Sequence, residues 1–172
     1  MSRAAHQLGH LFERMGEFDD AIRWHQESLD TKEKLDDRLR METSFHHMGN
    51  TFLKKKDYDQ AIRYYQNALQ IEEIEGDKQG MANTLLQIGE VANEQHRYED
   101  AVFYFSGARY FYIQSEAALA IILTKRIERM FDILDEGSVR AIERDVQRRM
   151  EAGEKLSELS STDEEDGKKS ES

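Results

Sequence analysis

Proline and cysteine are both missing from the 172 residues. Without cysteine there are no disulfides and no thiolate metal sites, which accords with a reducing compartment. Without proline nothing breaks a long helix, and a charged fraction of 34% suits an almost wholly helical chain. Long apolar runs are missing too. The longest, residues 117–123, falls far short of the roughly 20 apolar residues a membrane-spanning helix needs, and no apolar signal core opens the chain. Basic residues are outnumbered, 24 against 35 acidic, for a formal net charge of −11. Nonspecific nucleic-acid binding needs clustered lysine and arginine and is disfavoured. The segment from Ser160 holds five acidic and two basic residues, so the remainder still carries about −8 and favours a basic partner. The expectation is one soluble, cytoplasmic domain with a real core.

What is present is a repeat. Leu8 and Gly9, Met48 and Gly49, and Ile88 and Gly89 stand 40 residues apart. So do the segments FDDAI from Phe18, YDQAI from Tyr58 and YEDAV from Tyr98. The middle copy shows the unit clearly. Phe45, Met48, Gly49 and Phe52 mark one helical face, and Ala61, Ile62, Tyr65, Ala68, Leu69 and Ile71 mark another, with a break at Lys56-Asp57 and Asp57 as a cap. In the first copy Ala4, Ala5, Leu8, Phe12 and Met15 form the buried stripe, and the second helix is expected over residues 19–35. A mid-helix glycine costs about 1 kcal/mol relative to alanine. Three at one register position need a reason, and close approach of two helix backbones supplies it. A register held over three copies predicts an all-α helical repeat array.

The pattern resembles the tetratricopeptide repeat, two antiparallel helices per repeat stacked into a superhelix. The family's first-helix glycine falls on Gly9, Gly49 and Gly89, and the aromatic after it on Phe12 and Phe52, with Ala92 as a departure. The second helix's alanine falls on Ala21, Ala61 and Ala101, and its aromatic on Tyr65 and Phe105, with His25 departing. The small residue that follows falls on Ser28, Ala68 and Ala108. The repeat is 40 residues, not the commoner 34 or so; the addition falls at residues 34–38 and 74–78 and lengthens the flanking helices. This long variant resembles repeats of Pins/LGN-type polarity adaptors, kinesin light chain, ciliary proteins and bacterial peptide sensors. The array is expected over residues 1–159, with repeats at about 2–38, 42–78 and 81–115 and a degenerate fourth at 117–159. Either the amino-terminal face is tolerably polar or the chain is a fragment of a longer array.

In the fourth repeat, Ala141-Ile142 keeps the register but Glu128-Arg129 replaces the apolar–glycine pair. A first helix is expected over residues 117–134, buried through Leu119, Ile122, Leu123, Ile127, Met130 and Phe131. Residues 135–137 would form the turn, Ser138 the cap, and residues 138–159 a last helix with Val139, Ile142, Val146, Met150 and Leu156 on its apolar side. Arg140, Glu143, Arg144, Arg148 and Arg149 make its other side a solvated end cap. Residues 160–172 lack any apolar side chain and are expected to be a disordered acidic tail. The aromatics of the third copy (Tyr98, Phe103, Tyr104, Phe105, Tyr110, Phe111 and Tyr112) and Trp24 of the first read as core packing.

No catalytic constellation is visible: no phosphate loop, no cysteine nucleophile, no serine elbow. A nonenzymatic chain without cofactor follows. His6 and His10 lie one turn apart and could pair on zinc. The hydrolase signature, however, needs glutamate after the first histidine, and Gln7 stands there, so no metal is expected and the histidines read as neutral polar groups. The resemblance implies that first helices line a concave groove that binds a protein or peptide partner. Opposite the buried stripes stand His6, His10, Glu13 and Arg14; His46, with His47 beside it, Asn50, Leu53 and Lys54; and Asn83, Leu86, Glu90, Asn93 and Glu94. Of these, His6, His10, His46, Asn50, Lys54, Asn83, Leu86, Glu90 and Asn93 are the candidate binding residues. Asn50 matches an asparagine that holds a peptide backbone in this family, since an amide both donates and accepts. Glu90 and Glu94 would repel a terminal carboxylate, which argues against a chaperone-tail clamp. A groove scaffold is the expectation. The alternatives are a structural subunit of a ciliary or motor-type assembly, with cytoskeletal or ciliary placement, and a bacterial peptide sensor.

Overall fold

The computed structural model describes residues 2–35, 37–115, 117–155 and 157. Among them the chain forms eight α-helices and no strand: α1 Ser2–Met15, α2 Phe18–Glu33, α3 Arg38–Lys55, α4 Tyr58–Glu75, α5 Lys78–Glu94, α6 Tyr98–Ser115, α7 Ala117–Arg129 and α8 Glu136–Glu151. Successive helices pack on one another from α1 through α7, which makes an all-α solenoid of helix hairpins. None of these helices is long and apolar enough to cross a membrane. The expected tail, residues 160–172, lies outside the described residues, as does Leu156.

The repeat fixes the helix ends as well as the packing. Asp37 and Asp77, 40 residues apart, cap α3 and α5 by accepting from the backbone N–H groups of Arg40 and Gly80, and Asp57 caps α4 by accepting from Gln60. Each turn inside a hairpin puts the same register position in the left-handed region: Gly16 at φ 80°, Lys56 at 64° and His96 at 60°. Only the first copy uses glycine there, where a side chain costs roughly 1 kcal/mol or more.

The three repeat glycines are fillers of one slot. A Cβ on Gly9 would meet the His25 ring at 2.5 Å, one on Gly49 the Tyr65 ring at 2.5 Å, and one on Gly89 the Phe105 ring at 2.6 Å. Each glycine lets the ring of the paired helix lie flat on its backbone, and all three rings are buried. The core runs on through Met48, Leu69, Leu85, Ile88, Val102 and Tyr112 to Leu123, Ile127 and Val139. A fully buried side chain of this size contributes about 1.5–3 kcal/mol. None of the seven third-copy aromatics is exposed, and Trp24 is half-buried.

Several expectations need correction. Ala4, Met15 and Ile122 are exposed, because α1 has a neighbour on one side only and the α7 stripe is narrower than its run of apolar residues. Residues 117–134 are not one helix: α7 ends at Arg129 and a 3-10 turn, Met130–Asp132, follows. The α8 cap is Asp135, which accepts from the Ser138 N–H at 2.9 Å, so Glu136 and Gly137 belong to the helix. That helix stops at Glu151, with Gly153 left-handed at φ 71°, well short of residue 159. It packs on α6, and Arg109 of α6 pairs with Glu143 at 2.8 Å. Beyond it, Ser157 donates to Glu73 of α4 at 2.5 Å. The reason lies at residues 128–129. With Arg129 where the other copies have glycine, α7 cannot take a second helix into close backbone contact, and α8 docks on the previous repeat. Three of its four arginines are paired within the chain: Arg140 on Glu143, Arg148 and Arg149 on Asp145 and Glu154.

Candidate functional site

Side-chain contacts join the first helices of successive repeats into a row. His6 meets His47 between α1 and α3, His46 meets Gln87 between α3 and α5, and Arg126 of α7 pairs with Glu90 of α5. The nine candidate residues all lie on α1, α3 and α5 and none is fully buried. Most, however, already have a partner within the chain. Lys54 pairs with Glu13 one repeat back at 2.5 Å, and His10 sits 3.3 Å from the same carboxylate. That pairing outweighs the effect of burial and holds the Glu13 carboxyl below the usual range. Asn50 accepts the Tyr65 hydroxyl at 2.7 Å, and Asn83 accepts the Tyr112 hydroxyl at 2.6 Å. The amides are therefore oriented from below by buried tyrosines, with an acceptor lone pair committed and the N–H donors left over.

His46 is the exception to the neutral reading of the histidines. Its Nδ1 lies 3.1 Å from the Gln87 carbonyl oxygen and its Nε2 3.0 Å from Glu72 Oε1, so both ring nitrogens face acceptors. Burial works against a charge there, yet the hydrogen bond to Glu72 and the charges of Glu72 and Glu42 prevail and raise its pKa. Glu72 is buried and also accepts from Thr84 at 2.7 Å. Glu42, His46, Glu72 and Gln87, with Asp77, Asn83 and Leu86, line a cleft of about 470 Å³ between α3 and α5. Its acidity shows in Glu42, whose pKa is raised by burial and by the neighbouring Glu72.

Two buried polar groups were not foreseen. Lys32 donates to Ser44 at 2.5 Å, and one repeat along Glu72 accepts from Thr84, so the same two register positions hold a polar pair twice with opposite charge. The third copy has Tyr112 in that place. Comparing the copies at 32, 72 and 112 would have found it.

His25 is a departure from an aromatic position in the sequence, and the fold brings it to the other histidines. His6 and His10 from α1, His25 from α2 and His47 from α3 form one cluster, with all six ring-centroid separations between 4.4 and 6.0 Å. Burial, followed by the charge of His10, pushes His25 down to about 4 and His47 down to about 3. Burial and His10 lower His6 as well. His46 stands apart from this group, on the other side of α3.

No curated protein matches the chain. The family model for the tetratricopeptide repeat matches twice, over residues 1–71 and 40–109, the two matches offset by one repeat. Together they span well over half of the chain, across the hairpins that carry the glycine–ring slot. The chain is a member of the tetratricopeptide repeat family, whose repeats are noncatalytic modules of protein–protein interaction.

Proposed function

We propose that this protein is a scaffold that holds an extended segment of a partner protein along the row of first helices, with Asn50 and Asn83 gripping its backbone. One observation carries the reading. Tyr65 and Tyr112 occupy the acceptor side of these two amides, which leaves oriented N–H donors on the row to meet peptide carbonyls. The acidic cleft beside His46 suits a basic side chain of the partner, Leu86 an apolar one, and the Lys54 end a polar or acidic one. Because Lys54 and Glu90 are already paired, the partner exchanges ion pairs and does not create them, so charge serves specificity more than affinity.

The test is a comparative pull-down with quantitative mass spectrometry, using the wild type and Asn50→Ala/Lys54→Ala. A protein retained by the wild type and depleted from the double variant, at unchanged helicity, is the groove partner. Retention unchanged in every case removes the reading. Arg63 of α4, which is exposed, serves as the outer-surface control.

A second reading, an edge-packed subunit of a larger assembly, is favoured by Ile121 and Ile122. These neighbours in α7 are 57% and 54% exposed. A partner lost on Ile121→Lys/Ile122→Lys, but kept by the groove variant, would decide for it.

A further inference from the structure

We propose that His6, His10, His25 and His47 form a binding site for one divalent transition-metal ion of the zinc class, which clasps α1, α2 and α3 together. The inference shares His6 and His10 with the row but not Asn50 or Lys54, whose variants test the partner reading, so the two can fail separately. Its first support is convergence. One ring nitrogen each from His6, His10 and His47 lie within 4.8 Å of one another, and ligand atoms of His10, Glu13 and His25 form a second such group. The four histidines are thus two groups joined through His10, and His25 reaches the ion of the first group only by a shift of its ring. Tetrahedral zinc, with ligand bonds of about 2.0–2.1 Å, sets its nitrogens about 3.3 Å apart. Small ring rotations cover that difference.

The second support is unmet polarity. His25 is 1% exposed, and neither of its ring nitrogens has a hydrogen-bond partner; His6 Nδ1 is buried and unpartnered too. A neutral imidazole carries one donor and one acceptor, and leaving such groups unsatisfied costs about 1–3 kcal/mol each. Packing does not require that cost, because the sister positions hold Tyr65 and Phe105 against the same glycine slot. A cation accounts for half of it: the neutral ring is the ligating form, and a metal ion takes the lone pair that has no donor, while the N–H on the other nitrogen is not satisfied by the metal.

The donor set then selects the ion. Imidazole nitrogens suit zinc, cobalt, nickel and copper, whereas magnesium and calcium require oxygen ligands. Glu13 adds a carboxylate beside His10, either as a ligand or as the group that orients the ring. The other grouping of this kind, Glu42, His46 and Glu72, carries no such inference, because Thr84 and Gln87 already satisfy much of it. Gln7 in place of glutamate argues against a hydrolase at this site, but not against ligation.

The experiment uses the full chain without a polyhistidine tag, stripped with chelator and titrated with Zn²⁺ against a chromogenic competitor, with Co²⁺ as a spectroscopic probe. The expected result is one Zn²⁺ per chain, a Zn²⁺-dependent rise in Tm, and visible ligand-field absorption from Co²⁺. His25→Phe and His47→Gln install residues that the sister repeats carry (Phe105, and Gln7 and Gln87), so the fold should accept them. Each should weaken Zn²⁺ by about tenfold or more. His96→Asn, at an exposed turn away from the cluster, should leave affinity unchanged. If either cluster variant loses helicity, the partly exposed His6→Gln replaces it in the comparison. Absence of stoichiometric uptake, or uptake that the cluster variants retain in full, overturns the proposal.

Discussion

Replacing Gly49 by alanine should destabilise the protein, although the same change in an open helix stabilises it. Two effects of opposite sign compete. Alanine gains about 1 kcal/mol of helix propensity. Its Cβ, however, would lie 2.5, 2.7 and 2.9 Å from three carbons of the Tyr65 ring. That ring is 0% exposed and its hydroxyl is tied to Asn50 at 2.7 Å, so it cannot swing aside without losing the bond. Overpacking of this kind costs about 1–3 kcal/mol, and the strained hydrogen bond about 1 kcal/mol more. The net loss is about 1–3 kcal/mol, or a fall in Tm of roughly 3–10 °C for a chain of this length. Thermal melts followed by circular dichroism on Gly49→Ala, Tyr65→Leu and the double variant make the comparison. With leucine in the slot the clash is relieved, so adding alanine should then be neutral or stabilising. A rise in Tm from Gly49→Ala alone would refute the close-contact account of all three repeat glycines.

Other outcomes follow from the same structure. Lys56→Gly should raise stability by about 0.5–1 kcal/mol, because glycine adopts the left-handed backbone without penalty; a lower denaturation midpoint would contradict this. In chelator-treated protein, stability should fall as pH drops from 6.5 towards 4, since the unfolded chain takes up protons that folded His25 and His47 refuse. His25, faced by His6, His10, His47, Glu13 and Lys32, accounts for about 3 kcal/mol of that loss. His25→Phe should flatten this part of the Tm–pH curve, and an unchanged slope would count against it. His46 works in the opposite sense: its raised pKa gives stability that is present below pH 6.5 and fades as pH rises through its folded value. Glu72→Gln should therefore lower the His46 pKa seen by NMR titration, and an unmoved titration would show that the Glu72 contact is not what holds the proton.

The hairpins of residues 2–115 were legible because one steric demand recurs without slippage. Where two backbones approach closely, a glycine must face a flat ring, and that demand writes itself at 9, 49 and 89 in one helix and at 25, 65 and 105 in the other. The fourth hairpin was not legible, because its register survives at Ala141 while its close contact does not. Periodicity alone cannot report that a hairpin without the repeat glycine sends α8 back over α6. The same limit governs the site. Sequence spacing showed which residues stand off the buried stripe, and none of the nine candidates is fully buried, although Leu86 packs against the core. It could not show that Lys54 meets Glu13 or that Arg126 meets Glu90, since those pairs join different repeats. Nor could it show that His25, alone on α2, completes a cluster begun on α1 and α3.

The places where the copies disagree carry more information about function than the places where they agree. The fold asks of position 25, 65 or 105 only a flat ring of moderate size, and of 32, 72 or 112 only a long side chain that can reach the next helix. Tyrosine and phenylalanine meet the first demand with few or no unmet polar groups; histidine meets it with two. Lysine and glutamate meet the second only when Ser44 or Thr84 stands ready to pair with them. A sequence under pressure for stability alone would converge on the apolar solutions, as the third copy does with Phe105 and Tyr112. The first copy keeps titratable groups at both positions, His25 and Lys32, and the second at one, Glu72, and so they accept desolvation costs that the third avoids. Those costs fall on the hairpins whose row bears His6, His10, His46, Asn50 and Lys54.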